Sequence, residues 1–188
     1  MTTTINADTS TGGAIITGDA SGSLALQSAG TTALTATSGN LTVAQKLTAT
    51  GTASIAGMKI GDVLETATVS ATAATGTIAY DVTTQAVLYY TTSASGNWTV
   101  NFRASSGTTL DSLLATGESV TVAFLVTQGA TAYYNSAVQV DGASVTPKYQ
   151  GGTAYAAGNA SSVDVYMYTI IKTGSAAFTV FTSQTKFA

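Results

Sequence analysis

Hydrophobic residues recur at every second position through most of this chain, and the predicted elements are strands. Thr77–Val82 and Ala86–Thr92 are the first two clear runs. Trp98, Val100 and Phe102 then alternate with Thr99, Asn101 and Arg103. Side chains on a strand point alternately to opposite faces, so such a pattern buries one face and solvates the other. The run Ser119–Val126 alternates and then becomes continuously apolar, as expected of a strand covered on both faces. Tyr133-Tyr134 and Ala137–Val140 follow, and Asp141-Gly142 predicts a type I′ hairpin turn. Val163–Ile171 and Ala177–Thr182 predict a long closing hairpin around Lys172–Ser175. Helix is almost absent from the pattern. One turn is expected at Thr109–Leu114, capped by Thr109, with Leu110, Leu113 and Leu114 facing inward.

The N-terminal third has a thinner pattern. Ser23–Gly30, Thr31–Asn40 and Leu41–Gly51 each place Leu or Val at alternate positions and close near a glycine. They form an imperfect repeat of short β pieces separated by turns. The large aliphatics here are Ile15, Ile16, Leu24, Leu26, Leu34, Leu41, Val43, Leu47 and Ile55. Burial of so few side chains cannot offset the conformational entropy lost by ordering the whole segment in a single chain. The alternation therefore predicts that copies intertwine and bury one another's stripes in a shaft. A flexible Thr/Ala/Gly tether is the plainer alternative for residues 1–62.

Aromatic content divides the chain at the same place. The first 79 residues hold no Phe, Trp or Tyr, and all fifteen aromatics lie at or after Tyr80. Aromatic side chains carry much of the buried area of a core. The expected organisation is an attachment arm or shaft over 1–62, a connector over 63–75 and a globular domain over 76–188. Turn signals recur at Ser95–Asn97, Ser106-Gly107, Gly117, Gly129, Gly142, Gly151-Gly152, Gly158-Asn159 and Gly174. Many short strands with frequent turns predict an all-β sandwich of jelly-roll type.

Composition narrows the chemistry. There is no His and no Cys, and only 8% of the 188 residues are charged. General acid–base catalysis draws on His, Glu, Asp, Lys or Cys placed together, and zinc and transition-metal sites draw on Cys and His. No catalytic residue, metal site or cofactor is expected. A calcium site needs converging carboxylates, yet the nine acidic residues stand apart in sequence. A Ser–Lys pair with Lys148 or Lys172 has no local support, and Gly151–Thr153 lacks the Gly-Lys-Ser/Thr of a phosphate loop. A net charge of −3 argues against nucleic acid as a partner. The most apolar stretch, Val120–Val126, is too short to span a bilayer as a helix, and no charged n-region with an apolar run opens the chain.

Trp98 is expected in the core. In each of the pairs Tyr89-Tyr90 and Tyr133-Tyr134, one ring should point inward and the other outward. Outward tyrosines, with Tyr149 and Tyr155, are candidate contacts for a host-surface glycan. Packing in the core or at a subunit interface is the commoner role for such rings.

The residues from 76 onward resemble a known family. Asn97–Arg103, Thr108–Leu114, Gly117–Gly129, Val145–Lys148, Gly151-Gly152 and Ser162–Thr173 are similar to the C-terminal domain of virion structural proteins of tailed bacteriophages, especially those of marine cyanobacteria. The run Ser38–Val43 resembles phage-fibre shaft segments more loosely. The resemblance implies a non-enzymatic virion component, made in the host cytoplasm and exposed on the particle. It implies a short homotrimeric tail fibre bound to other virion proteins through the N-terminal arm. A capsid decoration or head fibre is the alternative position, and a host-glycan adhesion module the alternative role. No catalytic residue comes with the resemblance.

Overall fold

The computed structural model describes residue 61 and residues 63–188, together with the backbone of two short strands, β1 (Gln27–Ser28) and β2 (Thr31–Thr32). These two pair antiparallel, with Ser28 opposite Thr31. The chain divides into two units, residues 1–58 and 59–188. The shaft residues expected from the sequence, Ile15 to Ile55, lie outside the described residues.

The regular secondary structure of the second unit is almost all β. Its strands are β3 (Ala67–Ala73), β4 (Gly76–Asp81), β5 (Val87–Thr92), β6 (Trp98–Arg103), β7 (Ser119–Thr127), β8 (Asn135–Val140), β9 (Ala143–Val145), β10 (Lys148–Tyr149), β11 (Val163–Gly174) and β12 (Ala177–Phe187). They form a six-stranded sheet in the order β10-β12-β11-β7-β5-β3 and a four-stranded sheet in the order β4-β6-β8-β9. From β3 to β8 the chain passes from one sheet to the other at each connection. Neighbours within a sheet are then two apart in sequence and run the same way. Thus β3, β5 and β7 are parallel, and so are β4, β6 and β8. Only later do antiparallel pairs enter, β8 with β9, β7 with β11 and β11 with β12.

This pairing departs from the expected jelly roll, whose neighbours are antiparallel. The period-two pattern identifies a strand but carries no record of its partner. A short connection can equally return beside its own strand or step across to the other sheet. The expected connector over 63–75 also differs, because β3 is a full edge strand of the larger sheet.

The inner faces of the two sheets share one core. Ile78, Tyr80, Trp98, Val100, Phe102, Val138 and Val140 come from the smaller sheet, and Leu88, Val122, Phe124, Val126, Tyr166, Tyr168, Ile170 and Val180 from the larger. Phe124 sits at its centre, meeting Tyr80, Tyr90 and Trp98 edge-on at ring separations of 6.5, 5.2 and 6.1 Å. Edge-to-face contacts of this kind stabilise beyond the area they bury. Trp98 is buried, as expected. The run Ser119–Val126 proves one-sided: Val122, Phe124 and Val126 are buried, while Ala123 and Leu125 alternate with them half-buried.

The single helical turn, α1 (Leu110–Leu113), forms where expected. Thr109 Oγ1 accepts from the Ser112 amide at 3.1 Å. Leu110 is buried and Leu114 packs against the core, but Leu113 is exposed. Three leucines at i, i+3 and i+4 would share one face of a continuing helix, but the helix stops at Leu113 and the Leu114 backbone is extended (φ −93°, ψ 138°), so that face is never completed. Asp141 links this turn to the β8–β9 hairpin. Its Oδ1 and Oδ2 accept the amides of Leu110 and Asp111 at 2.7 and 2.9 Å. Asp141 and Gly142 both have positive φ, 52° and 81°, as a type I′ turn requires.

Candidate interaction surface

The two outer faces of this unit have different chemistry. On the four-stranded sheet the outward positions include Thr77, Asp81, Thr99, Asn101, Arg103, Gln139 and Ser144. Asp81 and Arg103 lie opposite each other in register and form an ion pair. This is the polar surface expected of a sheet facing water.

The six-stranded sheet is different. On β11, Asp164, Tyr166, Tyr168, Ile170 and Lys172 are buried, so Val163, Val165, Met167, Thr169 and Ile171 point out. On β12, buried Val180 and Thr182 turn Thr179, Phe181, Ser183 and Phe187 outward. The registers place Val165 beside Leu125, Met167 beside Ala123 and Thr169 beside both Thr121 and Phe181. Val87 and Tyr89 on β5 and Val69 on β3 continue the face. No outward position of β3, β5, β7, β11 or β12 named here carries a charge. Met167, Phe181, Phe187 and Val69 are 38, 47, 54 and 66% exposed. A concavity of about 490 Å³ lies at the β10 side, lined by Lys148, Tyr149, Met167, Thr169, Phe181 and Ser183, among others.

Two pairs of outward hydroxyls on this face bond to each other. Thr121 and Thr169 hydroxyls are 3.1 Å apart, and Thr127 Oγ1 donates toward Tyr89 Oη at 3.5 Å. These two pairs leave the centre of the face, around Leu125, Val165 and Met167, mainly carbon. Apolar surface spread over several strands of an outer face marks a candidate interaction site.

The tyrosines selected from the sequence do not form one site. Tyr89 lies on the outer face of the larger sheet, whereas Tyr90 packs on Phe124. Tyr133 packs against the core, and its amide and carbonyl are both held by Gln128. The Tyr134 amide is held by Asn97 Oδ1. Tyr149 and Tyr155 meet edge-on at 5.0 Å, and Tyr155 meets buried Tyr166 at 5.4 Å. Tyr155 Oη is bonded to Thr182 Oγ1 at 2.7 Å, and burial pushes its pKa up to about 12. Tyr149 and Tyr155 therefore extend the core outward along an aromatic ladder.

Two ionisable groups inside the unit are held structurally. Lys172 is buried, donates to the carbonyls of Asp111 and Leu114, and pairs with Asp111 Oδ1 at 2.8 Å. It closes the C-terminal end of α1. The Lys172 amine and the Ala176 amide hold the Asp111 carboxyl below its ordinary range. Asp164 is fully buried. Its Oδ2 accepts from Gln128 and Gln184 side chains and from the Asn159 amide at 3.0, 3.3 and 3.0 Å. Its Oδ1 has no hydrogen-bond partner, and burial raises its pKa despite those donors. Among the described residues no group of three His, Cys, Asp or Glu is placed to hold a metal ion.

No family model matches the chain, and no curated protein and no solved structure matches it.

Sequence reasoning missed the outer face. Its signal was present as the run Val163–Ile171, where apolar residues occupy both parities of a strand. An edge-exposed or one-sided strand needs apolar residues on one parity only.

Proposed function

We propose that this protein is a non-enzymatic structural component of a tailed-phage virion, a short homotrimeric tail fibre or fibre-like appendage. Residues 1–62 form the arm that intertwines with its copies and attaches to other virion proteins. The second unit forms a β-sandwich head. The observation that carries the reading is the apolar outer face of the six-stranded sheet across β5, β7, β11 and β12. A head whose outer surface is built for protein contact belongs in an assembly. The resemblance of residues 76–188 to phage virion proteins supplies the kind of assembly.

Antibody labelling of purified particles in the electron microscope tests the proposal. Label on tail appendages, at a copy number in multiples of three per fibre, is the expected result. Label spread over the head at hundreds of copies would move the protein to capsid decoration. Absence from the particle would remove the virion role. Sedimentation of the full-length chain tests the trimer independently.

A further inference from the structure

We infer that the outer face of the six-stranded sheet, centred on Leu125, Val165, Met167 and Phe181, is the surface through which copies of this chain meet. The inference rests on the homotrimeric reading and assigns the head its contact.

Four observations select a second copy as the occupant. The first is charge. From β3 to β12 the outward positions named above hold no Asp, Glu, Lys or Arg, and Lys148, in register with Phe181 at the β10 edge, is the one charge beside them. This stretch therefore offers little complementary field to a charged partner and meets its own copy without like-charge repulsion across its centre. The second is the contrast between faces. The four-stranded sheet carries Asp81, Arg103, Asn101 and Gln139 outward, so this chain does dress a solvated sheet with polar groups. The larger sheet carries a charge only at its β10 edge, as Lys148.

The third is area. β7 and β11 stay in register over nine pairs, Ser119–Thr127 against Val163–Ile171. At about 3.4 Å per residue and about 4.8 Å between strands, the face from β5 to β12 covers on the order of 500–600 Å² in projection. Side-chain relief raises the accessible area toward the roughly 800 Å² per partner of a standard stable interface. The fourth is relief. Phe181 and Phe187 project from the sheet, and concavities lie beside each, one lined by Met167 and Phe181 and the other by Thr127, Val163 and Phe187. Exposed aromatic anchors beside concavities are what well-packed interfaces use.

The chain has no cysteine, so single labels can be placed without background. Ser183→Cys puts one spin label on the outer face of the larger sheet, and Ala137→Cys puts one on the outer face of the smaller. Both are made in the full-length chain, and sedimentation is run beside the spectra. In the expected result the chain is an oligomer, the Ser183 label is immobilised and shielded from a water-soluble relaxation agent, and the Ala137 label is mobile and accessible. A Ser183 label that dissociates the oligomer while the Ala137 label leaves it intact carries the same meaning. Phe181→Lys, in register beside Lys148, should then free the Ser183 label, or weaken association at least about tenfold by placing an unpaired charge in an apolar contact.

An oligomer whose Ser183 label is mobile and accessible overturns the assigned surface and leaves the trimer standing. A monomer at every concentration overturns both. A monomer with a shielded Ser183 label would show that the chain covers this face with its own residues, which also overturns the inference. Phe181 is half-exposed and absent from the core, so its substitution leaves the fold to report.

Discussion

At the scale of single residues, the interior holds one group at odds with its surroundings. Asp164 sits between Val163 and Val165, turned inward beside Tyr166, with three nitrogen donors on one oxygen and none on the other. Gly158 makes this packing possible. A Cβ there would lie 2.3 Å from the Tyr133 carbonyl oxygen and 2.7 Å from Asp164 Oδ2. The carboxyl therefore pins the 153–162 loop against β7 and β11 through Gln128 and Asn159. Because burial raises its folded pKa above the unfolded value of 3.8, the folded state binds the extra proton between the two values. Stability contributed by this group is then greatest below the unfolded pKa and falls as pH rises through the window up to the folded pKa. Asp164→Asn removes that titration. Urea denaturation of both proteins should show the variant gaining on wild type as pH rises through this window. A difference that stays flat with pH would refute the account. The Asp111 carboxyl titrates with the opposite sign, and the comparison with the variant cancels it.

Elements are joined here by side chains rather than by length. The helical turn α1 is four residues long, too short to persist alone. It is held at its start by Asp141 from the β8–β9 hairpin and at its end by Lys172 from β11. A hairpin turn of the smaller sheet and a strand of the larger thus clamp one helical turn. Asp141→Ala leaves the Leu110 and Asp111 amides without their acceptor, and should cost about 1–2 kcal/mol in chemical denaturation. Asp141→Asn keeps an acceptor oxygen and tolerates positive φ, so it should recover most of the loss. Equal losses for the two variants would mean that the charge and second oxygen of the carboxylate, which Asn lacks, set the cost rather than one acceptor or the turn. The strands themselves were legible. The alternation of Trp98, Val100 and Phe102 became β6 with all three side chains buried. Leu113 was not legible, because a turn this short exposes one side and only its docking decides which.

At the scale of the whole unit, aromatic packing accounts for the core. Tyr80, Tyr166 and Tyr168 are fully buried, and Tyr90, Tyr149 and Tyr155 contact other rings. Burial raises the pKa of all six above 10. Folded stability that depends on their neutral forms is present below pH 10 and is lost as pH rises beyond it. An absorbance titration should therefore show six of the nine tyrosines ionising late, in a steep step that coincides with unfolding measured by Trp98 fluorescence. Gradual ionisation of all nine near pH 10 in a folded protein would contradict the packing.

Several properties follow from composition and local pattern alone. The all-β class, the I′ turn at Asp141-Gly142 and the start of α1 at Thr109 are written in period, turn chemistry and capping, which act between residues close in sequence. Tertiary structure alone decided the direction of pairing. It turned six successive strands into two interleaved parallel sets, made β3 an edge strand rather than a connector, and drew Tyr149 and Tyr155 into the core ladder. It also separated the polar outer face from the apolar one. Each of these depends on contacts between residues distant in the chain, and a strand's own sequence records only that it has two faces, not what lies against them.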